Sequence, residues 1–231
     1  MKSGMQVEIW RVARIGLDDR AAMERLYRAY YEGAPEETFQ HDLAEKDLAI
    51  VLRDAEGVRG FSTLKCLDVE DVRVVFSGDT VVDAACRNQT GLAGAFGHVM
   101  ARLAAADDPR TPYWFLICKG ARTYRFLPTF FMRYVPGAQT DEELTGLLHR
   151  IAARLYPHAF NPRTGVLHFG AGKDRLKDDV LRMDAESRRF RALNPGWRTG
   201  DELACLAPLA MENLNRLGRR VIADVSPVWM L

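Results

Sequence analysis

The stretch VVDAACRNQTGLAGAFGHVMARL (81–103) decides how this sequence is read. It opens on β-branched valines, crosses the polar residues Arg87, Asn88, Gln89 and Thr90, and ends in a helical pattern with Leu92, Phe96, Val99, Met100 and Leu103 on one face. Gly91, Gly94 and Gly97 stand in the opening turns of that helix, where each glycine costs roughly 1 kcal/mol relative to alanine. Two arrangements account for the cost. A strand that turns straight into a helix leaves the first N–H groups unpaired. With the helix dipole they form an anion site, and glycine removes the Cβ atoms that would hold a phosphate away. On that reading residues 87–92 cradle a phosphate or pyrophosphate, Arg87 adds charge, and Gly94 and Gly97 pack on the sheet. On the other reading all three glycines serve packing and Thr90 is only an N-cap. The G-x-x-G-x-x-G spacing matches neither the Walker pattern nor the dinucleotide fingerprint.

Working outward, residues 6–15 partly alternate and read as a strand, and Asp18 and Asp19 open a helix with the stripe Met23, Leu26, Tyr27, Tyr30. Gly33 ends it, and Pro35, Glu36 and Glu37 open another. LAIVLRD (48–54) and VRGFSTLKCL (58–67) flank the turn residues Ala55, Glu56 and Gly57, the pattern of an antiparallel hairpin. DVED (68–71) leads into VRVVFSGDTVVD (72–83), where Gly78 marks either a bulge or a kink. Beyond the glycine-rich helix, YWFLICKG (113–120) has the near-continuous apolar run of a strand buried on both faces. ARTYRFLPTFFMRYVP (121–136) reads as a helix broken near Pro128. Thr140 and Glu143 suggest a capping box before the stripe Leu144, Leu147, Leu148, Ile151, Leu155. GVLHFG (165–170) and LACLA (203–207) read as strands, 176–192 as a basic amphipathic helix, and about 209–217 as a last helix.

Composition narrows the function classes. Of 231 residues, 48% are apolar and 27% charged, ordinary for a globular protein. A net charge of +1 provides no overall field toward nucleic acid or an anionic membrane, so any anion site must be local. No apolar run approaches the roughly 20 residues that span a bilayer, and the N-terminus lacks the apolar core of a secretion signal. Four dispersed cysteines without CxxC fit reduced thiols in the cytoplasm, and the five scattered histidines show no metal-ligand spacing. With no repeat and no polar linker, residues 1–231 are expected to form one domain.

The order of elements resembles the Gcn5-related N-acetyltransferase (GNAT) superfamily: a strand, two helices, three antiparallel strands, a helix opened by an Arg/Gln/Gly loop, then a buried strand. The residues that carry the resemblance are VVDAACRNQTGL (81–92). Arg87 and Gln89 match the superfamily's Arg-Gly-Gln-Gly-x-Gly type loop, while Asn88, Thr90 and Leu92 stand where small residues are usual. The resemblance covers about 5–136 and the strands at 165–170 and 203–207, with helical insertions over 140–156 and 174–193. It implies an α/β (α+β) fold: a mixed, mostly antiparallel central sheet flanked by helices, with a helical C-terminal elaboration.

It also implies coenzyme A chemistry without a metal. Arg87, Asn88, Gln89, Thr90, Gly91 and Leu92 would grip the pyrophosphate of acyl-CoA, and the main chain of Val81 and Val82 would pair with the pantetheine amides. The fourth and fifth predicted strands would splay apart, Gly78 being the bulge or a simple kink. An amine acceptor, a small molecule or a peptide, would then attack the thioester directly. For the acid that meets the leaving thiolate the resemblance points to Tyr124, with Tyr134 as substitute; packing among Phe126, Phe130 and Phe131 is the other reading of Tyr124. For the base, Asp79 with Asp83 behind it stands in an otherwise apolar run, where a carboxylate is costly to bury unpaired; alternatively both face water. The superfamily often has a glutamate on this strand, and none occurs between residues 71 and 104. His98 is expected in solvent, and His168, alternating with Leu167 and Phe169, either faces a site or is a satisfied core histidine. Phe126, Phe130, Phe131 and Met132 would wall a tunnel for a long acyl chain, as in enzymes that acylate peptides or small amines in biosynthetic pathways, or else pack the core. Arg122, Arg125 and the basic residues of 173–191 suit an acidic carrier such as acyl carrier protein, or a solvated face. The apolar end PVWML (227–231) suits a surface of its own chain or a partner chain, a homodimer included.

Overall fold

The computed structural model describes residues 4–33, 35, 37–86, 90–105, 108, 110–170, 175–176 and 184–231. Its elements in chain order are β1 (Gln6–Arg11), α1 (Leu17–Tyr30), β2 (Tyr31–Glu32), α2 (Thr38–Ala44), β3 (Leu48–Asp54), β4 (Gly57–Val69), β5 (Val72–Val82), α3 (Gly91–Ala104), β6 (Tyr113–Cys118), α4 (Ala121–Tyr124), α5 (Phe126–Phe130), α6 (Glu142–Leu155), β7 (Phe160–Asn161), β8 (Val166–Leu167), β9 (Arg175–Leu176), α7 (Ala185–Leu193), β10 (Glu202–Pro208), α8 (Arg216–Ala223) and β11 (Val228–Met230).

Nine strands form one sheet in the order β11-β1-β3-β4-β5-β6-β10-β8-β7, and β2 pairs separately with β9. Strands β1, β3, β4 and β5 are antiparallel neighbours, β5 and β6 run parallel, and β6, β10, β8 and β7 are antiparallel again. The apolar C-terminus finds its place within its own chain: β11 adds to the sheet edge, parallel to β1.

Alternation along the strands sorts two faces. Ile50, Leu52, Val75, Trp114 and Leu116 pack toward α3, α4 and α5, with α7 contributing Phe190. On the opposite face, Ala49, Val51, Phe61 and Val81 pack with Met23, Tyr27, Phe39 and Leu43 of α1 and α2. Further along that face, Val74, Phe115, Ala204 and Leu206 meet the stripe Leu144, Leu147, Leu148 and Ile151 of α6. Helix α8 lies against α3 and α5.

Several boundaries differ from the sequence expectation, each for a local reason. The cap of α6 is Asp141, which accepts from Leu144 N at 3.0 Å, and not Thr140; the second oxygen of the same carboxylate accepts from Arg133 Nε at 2.7 Å. The helix expected over 121–136 breaks at Arg125, so that Pro128 falls in the first turn of α5, where its missing N–H is harmless. The last helix starts at Arg216, not 209. Asn213 ties its side chain to Pro208 O and Arg133 O, each at 2.9 Å, and Asn215 then caps α8 by accepting from Gly218 N. The basic helix is described only as Ala185–Leu193, capped by Asp184; residues 177–183 lie outside the described residues. The run 165–170 pairs as strand only at Val166–Leu167.

Candidate functional site

The centre of the sheet opens at one residue. Ser62 of β4 pairs with Thr80 and Leu64 pairs with Ser77, so Thr63 stands opposite both Gly78 and Asp79. This is a β-bulge, and it decides between the two readings of Gly78. An extra residue shifts the alternation of everything after it. Ser77 and Thr80 therefore both face the α3 side, while Gly78 and Asp79 both line a cavity on the α1, α2 and α6 side. The space here is tight: a Cβ on residue 78 would stand 2.7 Å from Lys46 Cε and 2.7 Å from Thr63 Oγ1. The parallel pairing of β5 with β6 ends at Ser77 and Leu116, just before the bulge, while β6 stays paired with β10 to Cys118. From that point β5 and β6 diverge.

Two cavities adjoin across the divergence. The first, about 40 Å³, is narrow and mostly apolar, enclosed by α3, α5, α8 and the sheet. Leu92, Phe96 and Met100 line it from α3, Phe126 and Phe130 from α5, and Val221 from α8. Its few polar groups satisfy one another: Ser62 and Thr80 hydroxyls are 2.8 Å apart, and Trp114 Nε1 donates to Ser77 Oγ at 2.9 Å. Phe131 also lines it, whereas Met132 is 61% exposed. The second cavity, about 380 Å³, lies on the opposite face and is polar, with Asp79, Lys46, Lys119, Glu202 and Tyr156 on its walls. Thr80 and Thr123 line both.

The polar cavity is electrostatically mixed. Lys46 Nζ donates to Asp42 O at 2.9 Å and sits 5.9 Å from the Phe76 ring centre. Lys119 Nζ is 3.8 Å from Glu202 Oε1 and 5.0 Å from the Tyr31 ring centre. Glu202 is only 2% exposed, and burying a carboxylate demands a partner or a ligand. Burial pushes the Tyr156 phenol well above its ordinary range, so it stays protonated.

Of the expected catalytic residues, Asp79 lines the polar cavity. Asp83 does not: its carboxylate accepts from Ala85 N at 2.9 Å and lies 3.5 Å from Arg59 Nη2, holding the turn after β5. Tyr124 is fully buried, packs on Phe190 and donates its hydroxyl to Pro136 O at 2.9 Å. Burial drives its hydroxyl far above the ordinary phenol range. It lines neither cavity, and neither does Tyr134. The acid expected there is therefore a core residue by packing, because the first turn after β6 aims Tyr124 inward and Thr123 outward to the cavities.

For the expected cofactor-binding residues, Val81 and Val82 lie on β5 beyond the bulge, opposite Phe61 and Gly60. Arg87, Asn88 and Gln89 lie outside the described residues. Thr90 is the exposed N-cap of α3 without a side-chain cap bond, and Leu92 is buried on the apolar cavity. Gly91 faces the sheet, where a Cβ would stand 2.9 Å from Leu52 Cδ2. Gly94 and Gly97 do not pack on the sheet as expected. A Cβ at Gly94 would stand 2.6 Å from Val225 Cβ, and one at Gly97 would overlap the Ile222 side chain. The glycines therefore serve close packing, two of them beneath α8 and Val225 just beyond its end.

Both histidine expectations are corrected. His98 Nε2 lies 2.6 Å from Val225 O, joining α3 to the end of α8, and is not in solvent. His168 is half exposed and pairs with Asp201 at 2.9 Å, so it is not a core residue. Arg125 pairs with Asp184. Among the described residues no three His, Cys, Asp or Glu side chains gather as a metal would require, and no helix is long and apolar enough to cross a membrane.

Sequence reasoning missed Lys46, Lys119, Thr123 and Glu202. Two carried a signal: Lys119 directly follows an apolar strand, and Glu202 begins a strand buried at every position. Lys46 and Thr123 carried none, since only the fold brings them to Gly78 and Thr80.

No family model and no curated protein matches this sequence. Solved structures do resemble it. One is a GNAT family N-acetyltransferase, YhbS from Escherichia coli, in complex with CoA: 22% identity, 56% of this chain and 71% of that one, TM-score 0.40. Another is FeeM, an N-acyl amino acid synthase from uncultured soil microbes: 16% identity, 56% of this chain and 80% of that one, TM-score 0.41. A third is Arabidopsis thaliana NAA60 in complex with a bisubstrate analogue: 16% identity, 60% of this chain and 92% of that one, TM-score 0.41. The parallel β5–β6 pair between two antiparallel blocks, its divergence at a bulge, and the glycine-rich helix that follows β5 form the mixed, mostly antiparallel sheet flanked by helices that the resemblance to the Gcn5-related N-acetyltransferase superfamily implies.

Proposed function

We propose that this protein transfers an acyl group from acyl-CoA to an amine, by direct attack in a ternary complex. The observation that carries the reading is the meeting of an apolar and a polar cavity at Thr80 and Thr123, beside a bulge that turns Asp79 toward the polar side. A thioester needs such a junction: an apolar channel for its carbon chain and a polar chamber for the nucleophile. The pantetheine main chain would pair along Val81 and Val82. The opening N–H groups of α3, at Gly91 and Leu92 after Thr90, together with Arg87, Asn88 and Gln89, would hold the pyrophosphate.

In this reading Asp79 takes a proton from the acceptor ammonium, the nitrogen attacks the thioester carbonyl carbon, and main-chain N–H at the bulge stabilises the oxyanion. The C–S bond then breaks, the nitrogen loses its second proton, and the thiolate is protonated. A thiol of ordinary pKa, about 8.5, is a good leaving group, and hydrogen bonding from Thr123 suffices in place of the buried Tyr124. Much of the rate comes from positioning two substrates across the gap. An acyl carrier protein is the alternative donor, and the aromatic lining Phe126, Phe130 and Phe131 favours a chain longer than acetyl.

The test is calorimetric titration with acetyl-, octanoyl- and palmitoyl-CoA, followed by thiol release on adding amines. Binding with release supports the transferase. Binding without release makes the protein an acyl-CoA sensor, and absence of binding overturns both. Ala93 also lines the apolar cavity. Ala93→Leu should fill it and shift the preferred donor shorter by about two carbons, roughly a tenfold discrimination at about 0.8 kcal/mol per methylene. An unchanged chain-length profile would remove the acyl chain from this cavity.

A further inference from the structure

Lys46 is a cation that the described part of the fold does not neutralise. Its Nζ donates to a main-chain oxygen, Asp42 O at 2.9 Å, and among the described residues no carboxylate lies within ion-pair distance of it. The other two lysines of the polar cavity are paired, Lys65 with Glu45 at 3.6 Å and Lys119 with Glu202 at 3.8 Å. A partly buried charge without a counter-charge is unfavourable, and a ligand that supplies one relieves it. Lys46 also has a fixed place. Its stem crosses the bulge, where a Cβ on Gly78 would stand 2.7 Å from Cε and 3.5 Å from Nζ. Asp79 is the next residue on the strand and lines the same cavity, and the buried Glu202 forms another part of its wall. One unpaired cation thus stands beside carboxylates, within a chamber that adjoins the apolar one.

We propose that the acceptor is an amine carrying its own carboxylate, an amino-acid zwitterion. Its carboxylate is held by Lys46, and its ammonium faces Asp79 and Glu202. This rests on the acyl-transfer reading of the same site. A simple amine would leave Lys46 uncompensated, and a polyamine would add repulsion to it. Lys46 and Asp79 both stand at the bulge, so a zwitterion held between them lies beside the divergence of β5 and β6.

The test measures kcat/KM with octanoyl-CoA for the twenty amino acids, each against its own α-amide, corrected for the neutral fraction of each amine. The expected result is at least a tenfold preference for the free amino acid over its amide. Lys46→Met should abolish that preference by raising the amino-acid KM, and Lys46→Arg should restore most of it. Amides acylated as well as amino acids, no amino acid acylated at all, or a preference that survives Lys46→Met would each overturn the proposal. The transferase reading fails separately, by absence of acyl-CoA binding; acylation of amides without discrimination leaves it standing.

Discussion

Gly94 lies directly beneath Val225: a side-chain carbon on Gly94 would stand 2.6 Å from Val225 Cβ and 2.9 Å from Val221 O. One turn further on, Gly97 stands against Ile222, and His98 Nε2 reaches Val225 O at 2.6 Å. Helix α8 is thereby fastened over the apolar cavity, to which it contributes Gly218, Val221 and Ile222.

The two glycines should differ on substitution. The Ile222 side chain can turn away from a methyl group, but the Val221 carbonyl belongs to the helix backbone. Gly94→Ala is therefore expected to destabilise by about 1–3 kcal/mol through overpacking, and Gly97→Ala by less, offset by a helix-propensity gain of roughly 1 kcal/mol. Urea unfolding of both variants measures the order, and a larger loss for Gly97→Ala would contradict this account of α8.

Tyr124→Phe separates a packing role from a chemical one. Removing the hydroxyl leaves Pro136 O without its buried donor and should cost about 1–3 kcal/mol in stability. At saturating substrates, kcat should stay within about twofold of wild type, since no interaction made only in the transition state is lost. A large fall in kcat with unchanged stability would return Tyr124 to the acid role.

Gly78→Ala tests the bulge. The added methyl meets Lys46 Cε and Thr63 Oγ1. The lysine stem is the more flexible of the two, so it should be displaced into the polar cavity. The acceptor KM should rise about tenfold, the factor equivalent to 1.4 kcal/mol, while acyl-CoA affinity, measured by calorimetry, should hold. Loss of acyl-CoA affinity alone would mean that the bulge serves the donor and not the acceptor.

Acid should weaken the start of α6. Hydrogen bonding from Arg133, and then from Leu144 N, holds the Asp141 carboxyl below the usual carboxylate range. A group whose folded pKa is depressed contributes stability above its unfolded value, about 3.9, and loses that contribution as pH falls through the folded value. Tm should therefore be flat through Asp141 above about pH 5 and fall below pH 4. Asp141→Asn keeps an oxygen for the cap and loses the charge, so its Tm should fall less steeply there; an identical acid limb would assign the loss to other carboxylates.

What the sequence alone determined is the set of periodic properties. Alternation placed β3, β4 and β5, continuous apolar character placed β6 and the stripe of α6, and the glycines predicted a close approach at α3. These depend on neighbours within one element, so they are written locally. The tertiary structure decided what depends on a partner. Whether Gly78 was a kink or a bulge was fixed by the register of β4, and that register turned Asp79 toward the polar cavity. The glycines of α3 met α8 because the chain closes back over them from its far end. Lys46 reached the bulge from α2's end, and Glu202 from the start of β10. A side chain's period is set by its own backbone, but its charge partner and its cavity are set by whichever distant segment the packing brings alongside.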